Sequence, residues 1–247
     1  FKIIVEIVRV NYYTEIVQKT NEGENLMRIF KRLVTAVGAL SLVLVLGACG
    51  KSASAAKDKS YSPKELTVQF VPSSNASTIE AKAKPLEGLL KKQLGIPVKV
   101  SVSTDYNTIV EAMGSKKVDV GFLPPDAYVL AHKQNGAKVI LQAERYAYKE
   151  PNDQITKQVV DNYKSTILVR KDSGIKSISD LKGKKIAVQD TTSSAGWIYP
   201  AVELYRKGIN VNKDGIKTVQ VKGHDQGVLA VYNGDVDAAF VFQGARL

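Results

Sequence analysis

The segment IAVQDTTSSAGWIYP, residues 186–200, is the stretch that decides the fold. Ile186–Gln189 predicts a short β-strand, because apolar residues dominate it and a polar turn follows. Ser194–Lys207 predicts a helix, which Gly208 ends. A strand that leads into a helix is the repeating unit of parallel α/β sheets, so this segment predicts the α/β class.

The same alternation extends in both directions from this segment. Strands are predicted at Leu66–Val71, Val98–Val102, Val118–Leu123, Val139–Ala143, Ser165–Arg170, Val219–Val221 and Ala238–Phe242. Helices are predicted at Ile79–Leu94, Tyr106–Met113, Asp126–Gln134, Ile178–Leu181 and Asp225–Tyr232. A polar stretch, Tyr148–Asp161, is predicted to be a loop between two such series. The pattern therefore predicts two lobes, residues 64–162 and 163–247, each a mainly parallel sheet with helices on both faces.

A lipoprotein signal peptide is predicted at residues 27–48. A basic region precedes an uncharged, mostly apolar run at residues 33–46, which is too short for an ordinary membrane span. The run ends in LGAC, which resembles the bacterial lipobox and implies cleavage before Cys49 and lipidation of this residue. The alternative is a buried helix with an isolated cysteine. The small, Lys-rich residues that follow argue against it, and residues 49–63 are predicted to be the lipidated cysteine and a flexible tether.

Residues 1–26 precede this signal and do not fit it. They carry four glutamates, whereas a signal peptide begins with basic residues. We interpret them as a translated leader upstream of a true start at Met27, and we expect them to lie outside the folded protein.

The composition narrows the functional classes. The chain has 35 Lys and Arg against 24 Asp and Glu, a formal net charge of +11, and its lysines are spread along the whole length. Such a surface is typical of a solvated protein and also attracts anions. Nucleic-acid binding is disfavoured, because the sequence has no RNP-type aromatic motif, paired Cys/His finger or basic heptad region. The single cysteine excludes an intrachain disulfide.

The turn that follows the strand at residues 186–189 is the strongest candidate site. Hydroxyl residues fill it from Thr191 to Ser194 and lead into a helix. Free backbone N–H groups, hydroxyl donors and the positive end of a helix dipole together suit a tetrahedral oxyanion. The alternative is an ordinary helix N-cap, for which one hydroxyl suffices. The turn is not a Walker loop, since the Gly-Lys-Ser/Thr ending is absent.

Four more strand-to-helix turns are candidates, because ligands of open α/β sheets bind beyond the carboxyl ends of the strands. They lie at residues 72–77, 103–106, 124–127 and 222–225. His224 begins the helix after the last of them and could donate a hydrogen bond to an anion, with a structural histidine as the alternative. Tyr106 begins another helix, either as a pocket wall or as a core aromatic.

Several ordered motifs from about Leu66 to Leu247 resemble the phosphate, phosphite and phosphonate substrate-binding proteins of bacterial ABC importers. They are DYNTIVEAM at 105–113 with VDVG at 118–121, TSSAGWIYP at 192–200, and GHDQGVLAV at 223–231 with GDVDAA at 234–239. A further motif, DLKGKKIAV at 180–188, is similar to many two-lobed binding proteins. The resemblance implies a type II periplasmic-binding fold that encloses an anion between two lobes. It also implies a cognate permease and ATPase as partners, on the extracytoplasmic face of the bacterial cell membrane.

The resemblance also implies which residues bind the ligand: Tyr106, Thr192, Ser193, Ser194, Ala195 and His224. The two serines would bind the oxyanion through hydroxyl and amide groups, His224 would donate to it, and Tyr106 would line the opposite wall. Ala195 stands where the family often has a third hydroxyl, so it offers only its backbone N–H. Gly244 stands where the family often has an acid that contacts an amino group, which favours phosphate, phosphite or a small alkylphosphonate.

Two other functional classes were weighed against this one. A two-lobed binding protein for a different small anion is the closer alternative. A hydrolytic enzyme is disfavoured, because the sequence has no G-x-S-x-G elbow, no metal-spaced His/Cys cluster and only two histidines. We therefore expect no catalytic residue, metal or cofactor.

The resemblance stops in mid-pattern at Leu247. In the type II fold the chain crosses between the lobes twice, and here the outward crossing is expected at Tyr163–Arg170 with no return crossing after it. We expect a C-terminally truncated chain with an incomplete first lobe, which would expose apolar faces and strand edges.

Overall fold

The computed structural model describes residues 4–6, 63–149 and 153–247. The strands in these ranges are β1 Ile4–Glu6, β2 Leu66–Phe70, β3 Val98–Val102, β4 Val120–Phe122, β5 Arg145–Lys149, β6 Gln154–Val160, β7 Ser165–Val169, β8 Lys185–Val188, β9 Lys217–Gln220 and β10 Ala238–Phe242. The α-helices are α1 Ala76–Leu94, α2 Tyr106–Gly114, α3 Pro125–Asn135, α4 Tyr199–Arg206 and α5 His224–Asn233. A 3₁₀ turn lies at Ile178–Leu181 and a π turn at Ser194–Ile198.

The N-terminal predictions fall mostly outside these ranges. The predicted signal peptide, Cys49 and the tether up to residue 62 are not among the described residues. Of the helices that are described, none combines the length and apolar character needed to cross a membrane.

The first lobe contains a parallel three-stranded sheet in the order β3-β2-β4. Val68 at its centre pairs with Val100 on one side and Val120 on the other. Helix α1 begins at Ala76, three residues before the predicted start, because the Asn75 side chain accepts a hydrogen bond from the Thr78 backbone N–H at 3.1 Å.

The second lobe contains a mixed five-stranded sheet in the order β1-β7-β10-β8-β9. Strands β10, β8 and β9 are parallel, whereas β7 runs antiparallel to β10 with Ile167 opposite Phe240. Apolar clusters cover both faces, with Phe240 in one cluster and its neighbour Ala239 in the other. Burial on both faces is what a sheet between helix layers requires, as predicted for the α/β class.

The edge strand β1 was not expected from the sequence. We predicted that residues 1–26 lie outside the folded protein, but the backbone of Ile4–Glu6 pairs antiparallel with β7, Ile4 opposite Val169. The physical reason is that β7 has its other edge on β10, and an extended apolar segment satisfies the backbone groups that would otherwise remain unpaired.

The predicted strand Val139–Ala143 is absent, and this prediction was wrong. Residues 136–144 form no helix or strand, and Leu141 is 84% exposed. A strand needs a neighbour for its backbone hydrogen bonds, and no strand in the described ranges pairs with this segment.

The predicted loop Tyr148–Asp161 is instead largely an antiparallel hairpin, formed by β5 and β6. Asp153 lies at its tip and is only 2% exposed. The Asp153 carboxylate accepts hydrogen bonds from Gln243 Nε2 at 3.0 Å and Arg246 Nε at 2.9 Å, so the hairpin packs against the last residues of the second lobe.

Candidate anion-binding site between the lobes

The five strand-to-helix turns predicted from the sequence meet where the two lobes touch. Hydrogen bonds between first-lobe and second-lobe residues join them, among them Asp126 N–H to Ser194 Oγ at 3.1 Å, Asn107 Nδ2 to Asp190 Oδ1 at 3.1 Å, and His224 N–H to the Ser73 carbonyl at 3.0 Å. The structure therefore brings together candidate residues that lie far apart in the sequence.

The serine pair lies at the centre of this contact and is fully enclosed. Ser193 is 1% exposed and Ser194 is 0% exposed. Ser193 Oγ accepts a hydrogen bond from the Gly196 N–H at 3.2 Å and so caps the π turn that leads into α4. The helix start is thus rich in hydroxyl groups, as the sequence predicts. Ser193 is the N-cap, and Ser194 is a second buried serine beside it.

Gln189 supports this turn from behind, a role that the sequence did not reveal. Its Nε2 donates to the Gly223 carbonyl at 3.1 Å, and the Gly223 N–H donates to its Oε1 at 3.1 Å. These two bonds fix the turn that carries the serines to the turn that carries His224. Gly223 has a φ of 95°, and an added Cβ would lie 3.0 Å from the Ser74 backbone, so only glycine allows the lobes to approach this closely here.

Two tyrosine hydroxyls meet the serine pair. Tyr106 is buried and its hydroxyl hydrogen-bonds with the Ser193 side chain, while the Tyr163 hydroxyl hydrogen-bonds with Ser194. Burial raises the pKa of both phenols above the usual value, against the weaker opposing effect of these hydrogen bonds. Both therefore keep their O–H and can donate to an acceptor. Tyr163 was missed, because an isolated aromatic in a connector gives no periodic signal.

Two groups of opposite charge lie beside Tyr163, and neither was predicted as a site residue. The Arg145 guanidinium lies over the Tyr163 ring, with Cζ 4.7 Å from the ring centroid. Arg145 Nε and Asp126 Oδ2 are both buried and make no hydrogen bond within the described part of the chain. A buried polar atom without a partner is costly, so both atoms are suited to contact a ligand.

His224 lies buried at the start of α5. It is 4% exposed, its ring packs edge-on against Phe242 with centroids 5.0 Å apart, and it hydrogen-bonds to the Phe240 backbone. Burial lowers the pKa of the imidazole from 6.5 to about 4, so the ring is neutral at neutral pH. Without a ligand the ring is therefore neutral and packs on β10, and a hydrogen bond from His224 to a bound anion stays a prediction.

The two remaining candidates make contacts of their own. Thr192 Oγ1 donates to Asp190 Oδ1 at 3.0 Å, so its proton is already used within the turn. The Ala195 carbonyl accepts from Ser165 Oγ at 2.9 Å, which ties the turn to the first residue of β7. Both residues therefore shape the serine turn in this structure.

A cavity of about 610 Å³ also lies between the lobes. Its lining comes from three of the predicted turns and includes Ser74, Asn75, Ser103, Thr104, Lys222 and Gln226. No group of three or more metal-ligating side chains occurs in the residues that the structure describes.

Comparison with known proteins places the chain in a family. Residues 68–246 match the family described as “ABC transporter, phosphonate, periplasmic substrate-binding protein”. The chain belongs to this family. The match to the phosphonate-binding family spans both lobes and all five turns of the candidate site.

Two curated relatives are similar to the chain over much of its length. The phosphate-import protein PhnD of Mycolicibacterium smegmatis is 32% identical over 233 residues, 87% of this chain and 67% of that protein. The phosphonates-binding periplasmic protein of Escherichia coli is 26% identical over 154 residues, 61% of this chain and 42% of that protein. The chain thus spans about two thirds of the first relative and less than half of the second. Both names describe binding or import proteins rather than enzymes.

Two solved structures support the predicted fold. A binding protein component of an ABC phosphonate transporter from Pseudomonas aeruginosa has a TM-score of 0.59 at 20% identity, covering 73% of this chain and 58% of that one. PhnD1 from Prochlorococcus marinus, in complex with methylphosphonate, has a TM-score of 0.57 at 22% identity, covering 72% of this chain and 63% of that one. The α/β, type II periplasmic-binding fold predicted from the sequence is confirmed by these likenesses.

Proposed function

We propose that this chain is the solute-binding component of an ABC importer and that it captures phosphate, phosphite or a small phosphonate between its lobes. The observation that carries the proposal is the enclosed serine pair, met by the hydroxyls of Tyr106 and Tyr163 where the lobes touch. The names of the relatives, a phosphate-import protein and a phosphonates-binding protein, support the same ligand class.

The donors of this site suit a tetrahedral oxyanion. Ser193 Oγ and Ser194 Oγ each accept a hydrogen bond from a backbone N–H and each share one with a tyrosine hydroxyl, so each Ser–Tyr pair keeps one O–H for a ligand. The start of the π turn and α4 adds the positive end of a helix dipole, and Arg145 adds a guanidinium beside Tyr163.

Gly244 supports the preference for a ligand without an amino group. Its φ is 90°, and an added Cβ would lie 2.5 Å from Tyr148 Cζ. The Tyr148 ring therefore occupies the space that a side chain at residue 244 would need, so no acid can be accommodated there without displacement of this ring.

Membrane anchoring and delivery complete the proposal. The predicted lipidation of Cys49 would hold the two lobes at the extracytoplasmic face of the membrane, where the tether allows the loaded protein to reach its permease and ATPase. Replacement of Cys49 by Ser is expected to release the protein from the membrane fraction.

Equilibrium titration calorimetry with phosphate, phosphite and methylphosphonate tests the ligand class. We expect binding without turnover, and we expect Tyr106→Phe to weaken phosphate binding by roughly 10-fold or more, because a donor to a charged group is lost. Tyr205→Phe, at an exposed position outside the site, is the matched control and should bind as the wild type does. Absence of binding for all three anions, or tight binding of an unrelated anion only, would contradict the proposal.

A further inference from the structure

Asp126 places a carboxylate oxygen at the candidate site with no donor to satisfy it. Its Oδ2 is buried and has no hydrogen-bond partner among the residues described. The Asp126 backbone N–H donates to Ser194 Oγ at 3.1 Å. Its carboxylate also acts electrostatically on the Tyr163 hydroxyl, which hydrogen-bonds to the same serine. Two groups therefore hydrogen-bond Ser194, and the Asp126 carboxylate beside Tyr163 is an acceptor that lacks a proton donor.

An acceptor of this kind restricts which anions can bind. A carboxylate next to a second anion is repelled in a buried site, and an unpaired buried acceptor is costly even without that repulsion. A ligand that carries its own O–H satisfies the acceptor and offsets the repulsion, because its proton lies between the two oxygens in a charge-assisted hydrogen bond. The hydroxyl and guanidinium donors around the serine pair would serve any tetrahedral anion equally, so they supply no such restriction.

We infer that Asp126 is a specificity-determining residue that selects oxyanions bearing a P–OH group, with hydrogen phosphate as the ligand, and rejects sulfate. The inference rests on the proposed function and names the ligand of that same site. Hydrogen phosphate keeps a proton throughout the neutral pH range, whereas sulfate has none. The two anions share tetrahedral geometry and similar size, so an acceptor is the feature that separates them.

The test is a titration of the full chain with inorganic phosphate and with sulfate, for wild type and Asp126→Asn. We expect wild type to bind phosphate at least about 100-fold more tightly than sulfate, from one charge-assisted bond gained and one unpaired acceptor avoided. The Asn amide can donate to either anion, so Asp126→Asn should lower the phosphate-to-sulfate ratio by at least about 10-fold. Asp172→Asn removes the same charge at a side chain that is 78% exposed, and it should leave the ratio unchanged.

The possible outcomes test the inference and the proposed function separately. Equal affinity of wild type for the two anions, or an unchanged ratio in Asp126→Asn, overturns the inference and leaves the proposed function standing. If wild type binds none of phosphate, phosphite and methylphosphonate, the proposed function fails and the inference fails with it. A third titration uses an aminoalkylphosphonate, whose ammonium group is another donor that could pair with the Asp126 carboxylate. If Asp126→Asn weakens the binding of this ligand only, the carboxylate pairs with an ammonium group and the inference is wrong. Should Asp126→Asn not fold, the wild-type phosphate-to-sulfate ratio alone decides.

Discussion

At the scale of single residues, the serine pair has two roles in one place. In the structure each serine oxygen accepts a hydrogen bond from a backbone N–H, Ser193 from Gly196 and Ser194 from Asp126. The first bond caps a helix and the second joins the lobes, so both serines contribute to the folded state before any ligand binds. Each serine also hydrogen-bonds with a tyrosine hydroxyl, so each Ser–Tyr pair keeps one O–H that can donate to an anion.

Replacement of both serines by Ala separates the two roles. We expect phosphate binding to fall by roughly 100-fold or more, since two donors to a charged ligand are lost. The free energy of unfolding without ligand should fall by only about 1–2 kcal/mol, the usual cost of a lost N-cap. Calorimetry and urea unfolding measure the two quantities, with the exposed Ser115→Ala as control. Equal losses in binding and stability would mean that the turn is an ordinary helix start.

Because His224 is buried, we expect acid to lower the free energy of unfolding of the protein. Its pKa is about 4 in the folded chain against an ordinary 6.5, so the unfolded state takes up the proton first as the pH falls. The contribution of His224 is complete above pH 6.5 and is lost as the pH falls towards 4, by up to about 3 kcal/mol.

Urea unfolding at a series of pH values from neutral to acidic measures this loss. His224→Gln should flatten the pH dependence in that window, whereas the exposed His132→Gln should leave it unchanged. If the free energy of unfolding of His224→Gln falls with pH as steeply as that of wild type, another group is responsible for the loss.

At the scale of the elements, the site depends on how closely the turns approach one another. Gly196 lies in the π turn, and an added Cβ there would overlap the Gln189 side chain and lie 2.9 Å from Ser193 Oγ. Gln189 in turn holds Gly223 through two hydrogen bonds. A change at Gly196 is therefore transmitted to both second-lobe turns of the site.

Gly196→Ala should lower the free energy of unfolding by about 1–3 kcal/mol, the range for overpacking in a close-packed region, and should weaken phosphate binding as well. Gly88→Ala is the matched control, because its added methyl group meets open space in helix α1. That control should raise stability by about 0.5–1 kcal/mol through helix propensity and leave binding unchanged. Similar effects of the two substitutions would contradict the close packing of the serine turn.

Elements that the sequence predicts well are those specified by local pattern. Val98–Val102 and Ala238–Phe242 have the predicted bounds, because apolar–polar alternation marks the first and an apolar run marks the second. Val139–Ala143 carries a similar pattern but forms no strand, since strand formation depends on a pairing partner that local sequence does not specify. The hairpin β5–β6 was missed for the opposite reason: its strands are polar, and their pairing is visible only in three dimensions.

The residues of the candidate site, too, could be predicted only where a local pattern marks them. The serine turn could be predicted because four hydroxyl residues stand in a row at a helix start. Asp126 lies in the predicted turn at residues 124–127 but could not be singled out, because its contact with Ser194 spans 68 residues of chain. The sequence places His224 at a helix start, whereas its burial against β10 and the lowered pKa that results are visible only in three dimensions.

At the scale of the whole molecule, both lobes direct helix starts towards the same junction. Helices α2 and α3 begin at Tyr106 and Pro125 in the first lobe, and the π turn before α4 begins at Ser194 in the second. Their first turns are joined across the lobes by the contacts of Tyr106, Asn107 and Asp126. The positive ends of these helices therefore add to the hydroxyl donors, and an anion at the junction would bind both lobes at once.

The most direct test of this account is the position of a bound oxyanion in a crystal. Arsenate is a tetrahedral, proton-bearing analogue of phosphate, and its arsenic atom gives an anomalous signal. In crystals of the full chain grown with arsenate, the account predicts one strong anomalous peak between the lobes, with arsenate oxygens within hydrogen-bond distance of the Ser193 and Ser194 hydroxyls. A saturated peak elsewhere, with no peak at the serine pair, would contradict it.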